Sequence, residues 1–523
     1  MNVARSATPA PLRAGGHQLL WVLALVVAGA LQAAALAWPV GGQPLWWLQL
    51  LALSVLCAAL EQSHSAKHAA GLTWVFATAW LAATFWWLFI SMHTYGGLPA
   101  PLAVLAVVGL AAFLGGYYAL LMALWRRYAR QGWSAVALFA ACWTLGELAR
   151  GTLWTGFPWG AIGYAHVDGP LSAWPRWLGV YGTGALAAAL SMALAQGRAL
   201  VKQPRKSLAI AALAVLLGVG AFHSLHQAHL PEDRDAVSVA LLQGNIAQDE
   251  KFIPGAGVAQ ALQWYGERLL EAPADLVVAP ETALPMLPQQ LPQGYLDAVT
   301  QPYKAANSTS AALVGMPLGD EAQGYSNSVL GWIPGEMPEY RYDKHHLVPF
   351  GEFIPPMFQW FVRMMNIPLG DFHRGNVGQA SMVWRGERWA PNICYEDLFG
   401  EELGARFVDA STAPTVFVNV SNIAWFGDSI AIDQHLQISR MRALEFERPM
   451  LRATNTGATV AIDHRAVVTA SLPAAVQDVL LVQVQGRDGL TPFARWVSHW
   501  GLWPLWLCCV AVVAWCAKQR KKI

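Results

Sequence analysis

Two hydrophobic rhythms divide the chain. Eight apolar segments, approximately 18–38, 44–60, 71–92, 101–125, 133–149, 172–196, 207–226 and 497–517, are long enough to cross a bilayer, which takes roughly 17–25 residues. Between the seventh and the eighth the runs shorten. "VSVALLQGN" (237–245), "ADLVVAPET" (274–282), "AALVGMPLG" (311–319), "NSVLGWIPG" (327–335), "WAPNICYE" (389–396), "TVFVNVSN" (415–422), "ATVAIDHR" (458–465) and "VLLVQVQG" (479–486) are β-rich and closed by Gly, Pro or Asn. Helical periodicity covers about 257–271, 398–409 and 429–447. Mostly apolar strands with helices between them predict sheets covered by helices.

Charge sharpens the division. Only Glu61, Glu147 and Asp168 precede residue 231 and no acidic residue follows 490, so 30 of the 33 Asp and Glu fall in between. Three units are expected: a seven-span membrane domain at 1–227, a soluble domain at 228–490, and a returning helix with a basic tail at 491–523. The "ALQAAALAW" end of the first span resembles a cleavage site, but six further spans follow it, so it reads as an uncleaved anchor.

Orientation follows from the basic residues of the short loops. Arg5, Arg13, Lys67, Arg126, Arg127, Arg130, Arg198, Lys202, Arg205, Lys206, Lys518, Arg520, Lys521 and Lys522 fall on one side, and only Arg150 and Arg176 on the other. Both termini are then cytoplasmic and the 228–490 domain faces outward, into the periplasm of a bacterium. An odd number of spans would reverse this placement.

Composition agrees: 55% of residues are hydrophobic, 13% are charged, and there are 26 Trp. The net charge of +1 gives no reason to expect nucleic-acid binding. Five of the six cysteines lie in apolar runs; Cys394 alone sits in the polar domain, without a disulfide partner there. It is either an inert buried thiol or a nucleophile, and a nucleophile needs a base, a cation and access.

Glu281, Lys344 and Cys394 each follow a β-rich run, where side chains commonly converge on a site. Together they divide the work of acyl transfer. A carboxylate takes the thiol proton, an ammonium stabilises the oxyanion, and the sulfur attacks a carbonyl. Each residue alone is commonplace.

"APETALP", "KHHLVPFGEFIP" and "NICYEDLF" resemble the three catalytic motifs of the nitrilase (carbon–nitrogen hydrolase) superfamily. With the eight spans, and with "TYGGLP" (94–99), "TGFPWG" (155–160), "LLQGNIAQDEKF" (241–252) and "VSNIAWFG" (420–427), the chain resembles the bacterial apolipoprotein N-acyltransferase family over essentially its full length.

The resemblance implies a polytopic α-helical membrane domain carrying a periplasmic αββα sandwich. It implies Glu281 as general base, Lys344 as oxyanion-stabilising cation and Cys394 as nucleophile. Glu352 matches a second family carboxylate, and Tyr395 and Glu396 match positions the family needs. Phe252 stands where many members have Trp, keeping an aromatic wall without the indole N–H. The implied reaction moves the sn-1 chain of a phospholipid, typically phosphatidylethanolamine, through a thioester onto the α-amine of a lipoprotein's diacylglyceryl-cysteine, with no metal or cofactor.

A membrane-bound site spares each acyl chain extraction into water, at about 0.8 kcal/mol per CH₂. The apolar, Met-containing stretch 354–372 reads as an arm dipping into lipid, with Phe358, Phe361 and Met364 toward the substrate, or as a core helix. Asn422, Trp425 and Phe426 are candidate acyl-site lining. His345 and His346 read as structural or substrate-adjacent, and Arg440, Glu445 and Arg448 as a network within one helix. Glu147 and Arg150 either meet a head group or pair with other residues. Two other functions use the same residues: an amidase with water as acceptor, and an inert lipid-binding protein.

Overall fold

Every second residue of the strand Val237–Gln243 faces a different core. Val239 and Leu241 pack into one apolar cluster and Ala240 and Leu242 into another. The period of two puts both faces of a strand under cover. The computed structural model describes residues 14–130, 132–197, 235–305, 307–322, 324–336, 338–355, 358, 360 and 372–520. The expected seventh span, 207–226, and most of the 354–372 stretch lie outside the described residues.

The N-terminal part is helical: α1 (Ala14–Ala34), α2 (Trp46–Glu61), α3 (Ala66–Thr84), α4 (Ala100–Tyr128), α5 (Trp133–Thr152) and α6 (Pro175–Ala195). Helices occupy seven of the eight expected apolar segments. Among the described residues, α4 and α6 are long and apolar enough to cross a membrane on their own. The segment expected as one span at 71–92 is instead α3 followed, after a 63° bend, by helical turns over Leu88–Tyr95.

The polar part contains twelve strands among the described residues: β1 (Val237–Gln243), β2 (Leu276–Ala279), β3 (Ala311–Asp320), β4 (Gly324–Trp332), β5 (Tyr340–Asp343), β6 (Met382–Trp384), β7 (Glu387–Ile393), β8 (Val416–Ser421), β9 (Met450–Thr454), β10 (Val460–Ile462), β11 (Val468–Ser471) and β12 (Asp478–Val484). They form two six-stranded sheets, ordered β12-β1-β2-β3-β4-β5 and β11-β10-β9-β8-β7-β6. Each sheet is parallel at its centre, β1-β2-β3 in one and β7-β8-β9 in the other, with antiparallel strands at the edges.

The inner faces meet through Val239, Leu241, Val278 and Leu313 against Trp389, Val418, Val420 and Leu451. Helices α7 (Gly257–Glu271) and α8 (Tyr295–Lys304) cover the first sheet. Ala443 and Phe446 of α9 (Ala431–Phe446), with Leu403 and Phe407, cover the second. The result is an αββα sandwich. The helix expected at 398–409 is two short helical stretches, Gly400–Gly404 and Ala405–Phe407.

Helix α9 also seats the sandwich on the N-terminal helices. Gln434 accepts the indole N–H of Trp87 (3.1 Å) and of Trp159 (2.8 Å), and donates to the Thr84 carbonyl (3.0 Å). Gln437 donates to the Gly42 carbonyl, Arg440 pairs with Asp168 at 2.7 Å, and Glu445 accepts the Val180 N–H. Arg440 and Glu445 therefore bridge the two halves, and Arg448 donates to backbone carbonyls, including that of Pro414. This corrects the expectation of a network confined to one helix. Beyond the sandwich, α10 (Pro492–Trp500) bends by 89° at Gly501 into α11 (Trp503–Arg520), so the last expected span is a broken pair.

Candidate active site

In parallel sheets, ligand sites gather at the carboxyl ends of the strands, and the implied catalytic residues lie there. Glu281 follows β2, Lys344 follows β5, and Cys394 follows β7, on a turn where its own φ is +53°. That left-handed backbone ends the strand abruptly and starts a short helical turn. The carbonyl of Cys394 is held by the Asn419 amide and by His435 Nε2, each at 3.2 Å.

Lys344 is 1% exposed, and its Nζ lies 3.3 Å from Glu281 Oε1 and 2.9 Å from Glu352 Oε1. Asn327 Nδ2 donates to the same two oxygens at 2.7 Å each. The remaining oxygens accept backbone donors, Glu281 Oε2 from Asn422 and Glu352 Oε2 from Val348, both at 2.8 Å. Buried charges of this kind persist only when paired and hydrogen-bonded.

Electrostatics assigns the protons. Burial pushes the Cys394 thiol up to about 12; Glu281 adds to the rise, and Lys344 and the Ser421 hydroxyl oppose it. Burial also pushes Glu281 up, but Lys344, the Asn327 amide, the Asn422 N–H and Lys251 outweigh it and leave the carboxyl below its usual range. For Lys344, burial favours the neutral amine, but Glu352 and Glu281 overcome it and raise the pKa. The resting arrangement is a neutral thiol beside an ionised carboxylate and an ammonium. A carbonyl carbon brought to the sulfur would meet a nucleophile, a base and a cation together.

Residues 28–193 match the family described as Apolipoprotein N-acyltransferase N-terminal domain, and residues 238–490 match Carbon-nitrogen hydrolase. The apolipoprotein N-acyltransferase of Verminephrobacter eiseniae is 60% identical over 508 residues, 93% of each chain. That of Ralstonia nicotianae is 46% identical over 454 residues, 86% of each.

The chain belongs to the apolipoprotein N-acyltransferase family.

Solved structures similar to this chain include an amidase from Nesterenkonia (16% identity, 51% of this chain and 94% of that one, TM-score 0.36) and a carbon-nitrogen hydrolase from Helicobacter pylori (13% identity, 52% and 94%, TM-score 0.35). The nitrilase-like sandwich of an apolipoprotein N-acyltransferase here rests on further residues that the sequence motifs single out. Glu396 is buried and accepts the backbone N–H groups of Ile393 (2.7 Å), His345 (2.7 Å) and His346 (3.2 Å) and the Tyr342 hydroxyl (2.8 Å). It ties the lysine loop to the cysteine turn. Tyr395 donates to the Gly156 carbonyl at 3.1 Å.

Gly156 belongs to "TGFPWG", where φ is +80° and a Cβ would lie 2.0 Å from the Gly151 carbonyl oxygen, so only glycine fits. Arg150, 1% exposed, donates to the carbonyls of Phe157 (2.6 Å) and Trp159 (2.7 Å) and to the Tyr118 hydroxyl (3.0 Å), while Glu147 accepts the Ile162 N–H. Glu147 and Arg150 thus find partners within the protein.

The candidate lining residues separate. Asn422 serves the base, its side chain donating to Gln248. Phe426 packs on Trp87 at 4.2 Å between ring centroids, and Trp425 meets Tyr95 edge-on at 5.8 Å, so both join the sandwich to the helices. Phe252 (43% exposed) and Phe358 (41% exposed) are open to the surface; Phe361 lies outside the described residues. His346 stacks on Phe399 and contacts Glu402, and His345 contacts the Gly375 carbonyl.

Sequence reasoning missed Asn327, Lys251 and His435. Lys251 lies inside the family-like stretch "LLQGNIAQDEKF" and Asn327 opens the run "NSVLGWIPG", but neither was singled out. Behind the nucleophile, His435 Nδ1 accepts from Arg452 (3.0 Å) and Nε2 faces Asp397 Oδ1 (2.8 Å). Among the described residues no cluster of three or more His, Cys, Asp or Glu is placed to hold a metal.

Proposed function

We propose that this chain is an acyltransferase that moves the sn-1 acyl chain of a phospholipid, phosphatidylethanolamine in the first place, onto the α-amine of a diacylglyceryl-modified lipoprotein. The observation that carries the reading is the Glu281–Lys344–Glu352 cluster around Cys394, in a chain related to apolipoprotein N-acyltransferases over 93% of its length. Glu281 takes the thiol proton as the sulfur attacks the ester carbonyl, and Lys344 stabilises the oxyanion. The tetrahedral intermediate expels the lysophospholipid alkoxide, which receives the proton from Glu281 and leaves a thioester on Cys394. The lipoprotein amine then attacks the thioester, Glu281 accepts its proton, and the thiol is released as the amide forms. Stepwise transfer through the thioester divides one difficult exchange into two easier ones.

The wider topology belongs to the same proposal. Domains at 1–227, 228–490 and 491–523, eight spans, cytoplasmic termini and a periplasmic sandwich on the inner membrane are supported by the distribution of basic loops and apolar helices. Topology reporters fused after residues 130 and 300 should report opposite compartments.

The decisive assay uses the full-length protein, labelled phospholipid and a diacylated lipopeptide. Amide product with a label trapped on Cys394, absent in Cys394→Ser, supports transfer. Free fatty acid in place of amide would mean hydrolysis, and no turnover would mean a binding protein.

A further inference from the structure

A second buried lysine, Lys251, reaches the residue that carries the base. Lys251 ends the "QGNIAQDEK" stretch, before α7, and its side chain is 1% exposed. Nζ donates to the Glu281 carbonyl oxygen at 3.2 Å and to Thr282 Oγ1 at 2.7 Å. These two acceptors bracket the peptide that follows the base.

That peptide is strained. Thr282 has φ +49°, in the left-handed region that a β-branched side chain disfavours. The turn is fixed by Ala283 N–H donating to the Pro280 carbonyl and Leu284 N–H to that of Gly315. The path of this turn sets where the Glu281 carboxylate points, and Lys251 grips it at the strained residue.

Charge gives a second, independent reason. Glu281 and Glu352 meet at one ammonium, Lys344, which the two carboxyl groups share. A protonated Lys251 gives Glu281 a second neighbouring cation, one not shared with Glu352. The titratable groups that act on Lys251 are Glu281 and Cys394; Asp249 and Glu250 of its own turn are exposed. Burial pulls Lys251 down to about 7, and Glu281 and then Cys394 work against that fall.

We propose that Lys251 is a positioning residue of the acyl-transfer site, clipping the Glu281–Thr282 turn and supplying the second positive charge of the cluster. The inference rests on Glu281 acting as base toward Cys394.

The test is thioester formation on Cys394 from labelled phospholipid, followed against pH in full-length wild type, Lys251→Met, Lys251→Arg and Thr282→Val. Lys251→Met should acylate about tenfold or more slowly at neutral pH, with the lipid KM little changed. Its acid limb should move to higher pH, because Glu281 loses a neighbouring cation. Lys251→Arg should restore the limb toward wild type, which a lost packing contact would not explain. Thr282→Val, which removes one acceptor of the clip and keeps the lysine, should slow acylation in the same direction by a smaller factor and covers the case in which Lys251→Met does not fold. A wild-type rate in either variant overturns the clip, and a slower Lys251→Met with an unmoved acid limb overturns the charge. Absence of thioester in the wild type would instead sink the parent reaction.

Discussion

Glu281 and Glu352 are held by the same two donors. The Lys344 ammonium and the Asn327 amide each reach Oε1 of both, at 3.3 and 2.9 Å and at 2.7 and 2.7 Å. Two buried carboxylates side by side would ordinarily force one to stay protonated. Here the shared donors help hold Glu281 below its usual range, while separate backbone N–H groups fix the outer oxygens of both.

Asn327→Leu keeps the volume and removes the shared neutral donor. Glu281 should lose its alignment, and acylation of Cys394 should fall by about 10²-fold, the scale of a misplaced catalytic group. Single-turnover labelling, with binding of a non-reactive phospholipid analogue as control, separates this from loss of substrate affinity.

The pH dependence of acylation has a defined sign. In the proposed mechanism Glu281 acts as the ionised base, a form present above its pKa and lost as pH falls through it. Because the carboxyl sits below the ordinary glutamate value of 4.5, the acid limb of kcat/KM for phospholipid should lie below pH 4.5. A limb near 6 or 7 would show that a histidine, not Glu281, takes the proton.

Glu396→Ala should unfold the site more than slow it. Three backbone N–H groups would lose their acceptor, and each orphaned buried donor costs about 1–3 kcal/mol. The expected loss is at least about 3 kcal/mol, read as a lower melting temperature of the purified protein and poor recovery from membranes. A variant that melts like wild type but does not acylate would make Glu396 a participant in the chemistry.

Gln434→Leu tests the seating of the sandwich. It leaves the indoles of Trp87 and Trp159 and the Thr84 carbonyl unpaired, at about 1–3 kcal/mol each. The neighbouring His435 stacks on Trp159 and touches the Cys394 carbonyl, so thioester formation should fall together with thermal stability. Unchanged acylation in a destabilised variant would separate the interface from the nucleophile.

What was legible in the sequence divides by range. β1, β2, β3, β7 and β8 announced themselves because strands buried on both faces are apolar throughout. β6, β9 and β11 went unread: they are three to five residues long, and β9 carries Arg452, whose charge is answered by Asp397 from another element. Pro302 masked α8. Glu281, Lys344 and Cys394 stand in local motifs and could be named in advance. Asn327, Lys251 and His435 take their meaning from partners dozens of residues away, such as Glu281 at 46 and 30 positions from the first two, and no local spacing records that.

Helix α9 has no free side. One face lies on the second sheet and the other, through Ile432, Ile438 and Met441, shares a core with the N-terminal helices. A fragment cut out at residue 235 for convenience in solution would strip those side chains, along with Leu398, Phe399 and Ile423, of their cover, strand Gln434 without partners and take from Gln437 its acceptor at Gly42. The catalytic half is thus no detachable cassette: its outer layer is finished only by helices from the other end of the chain.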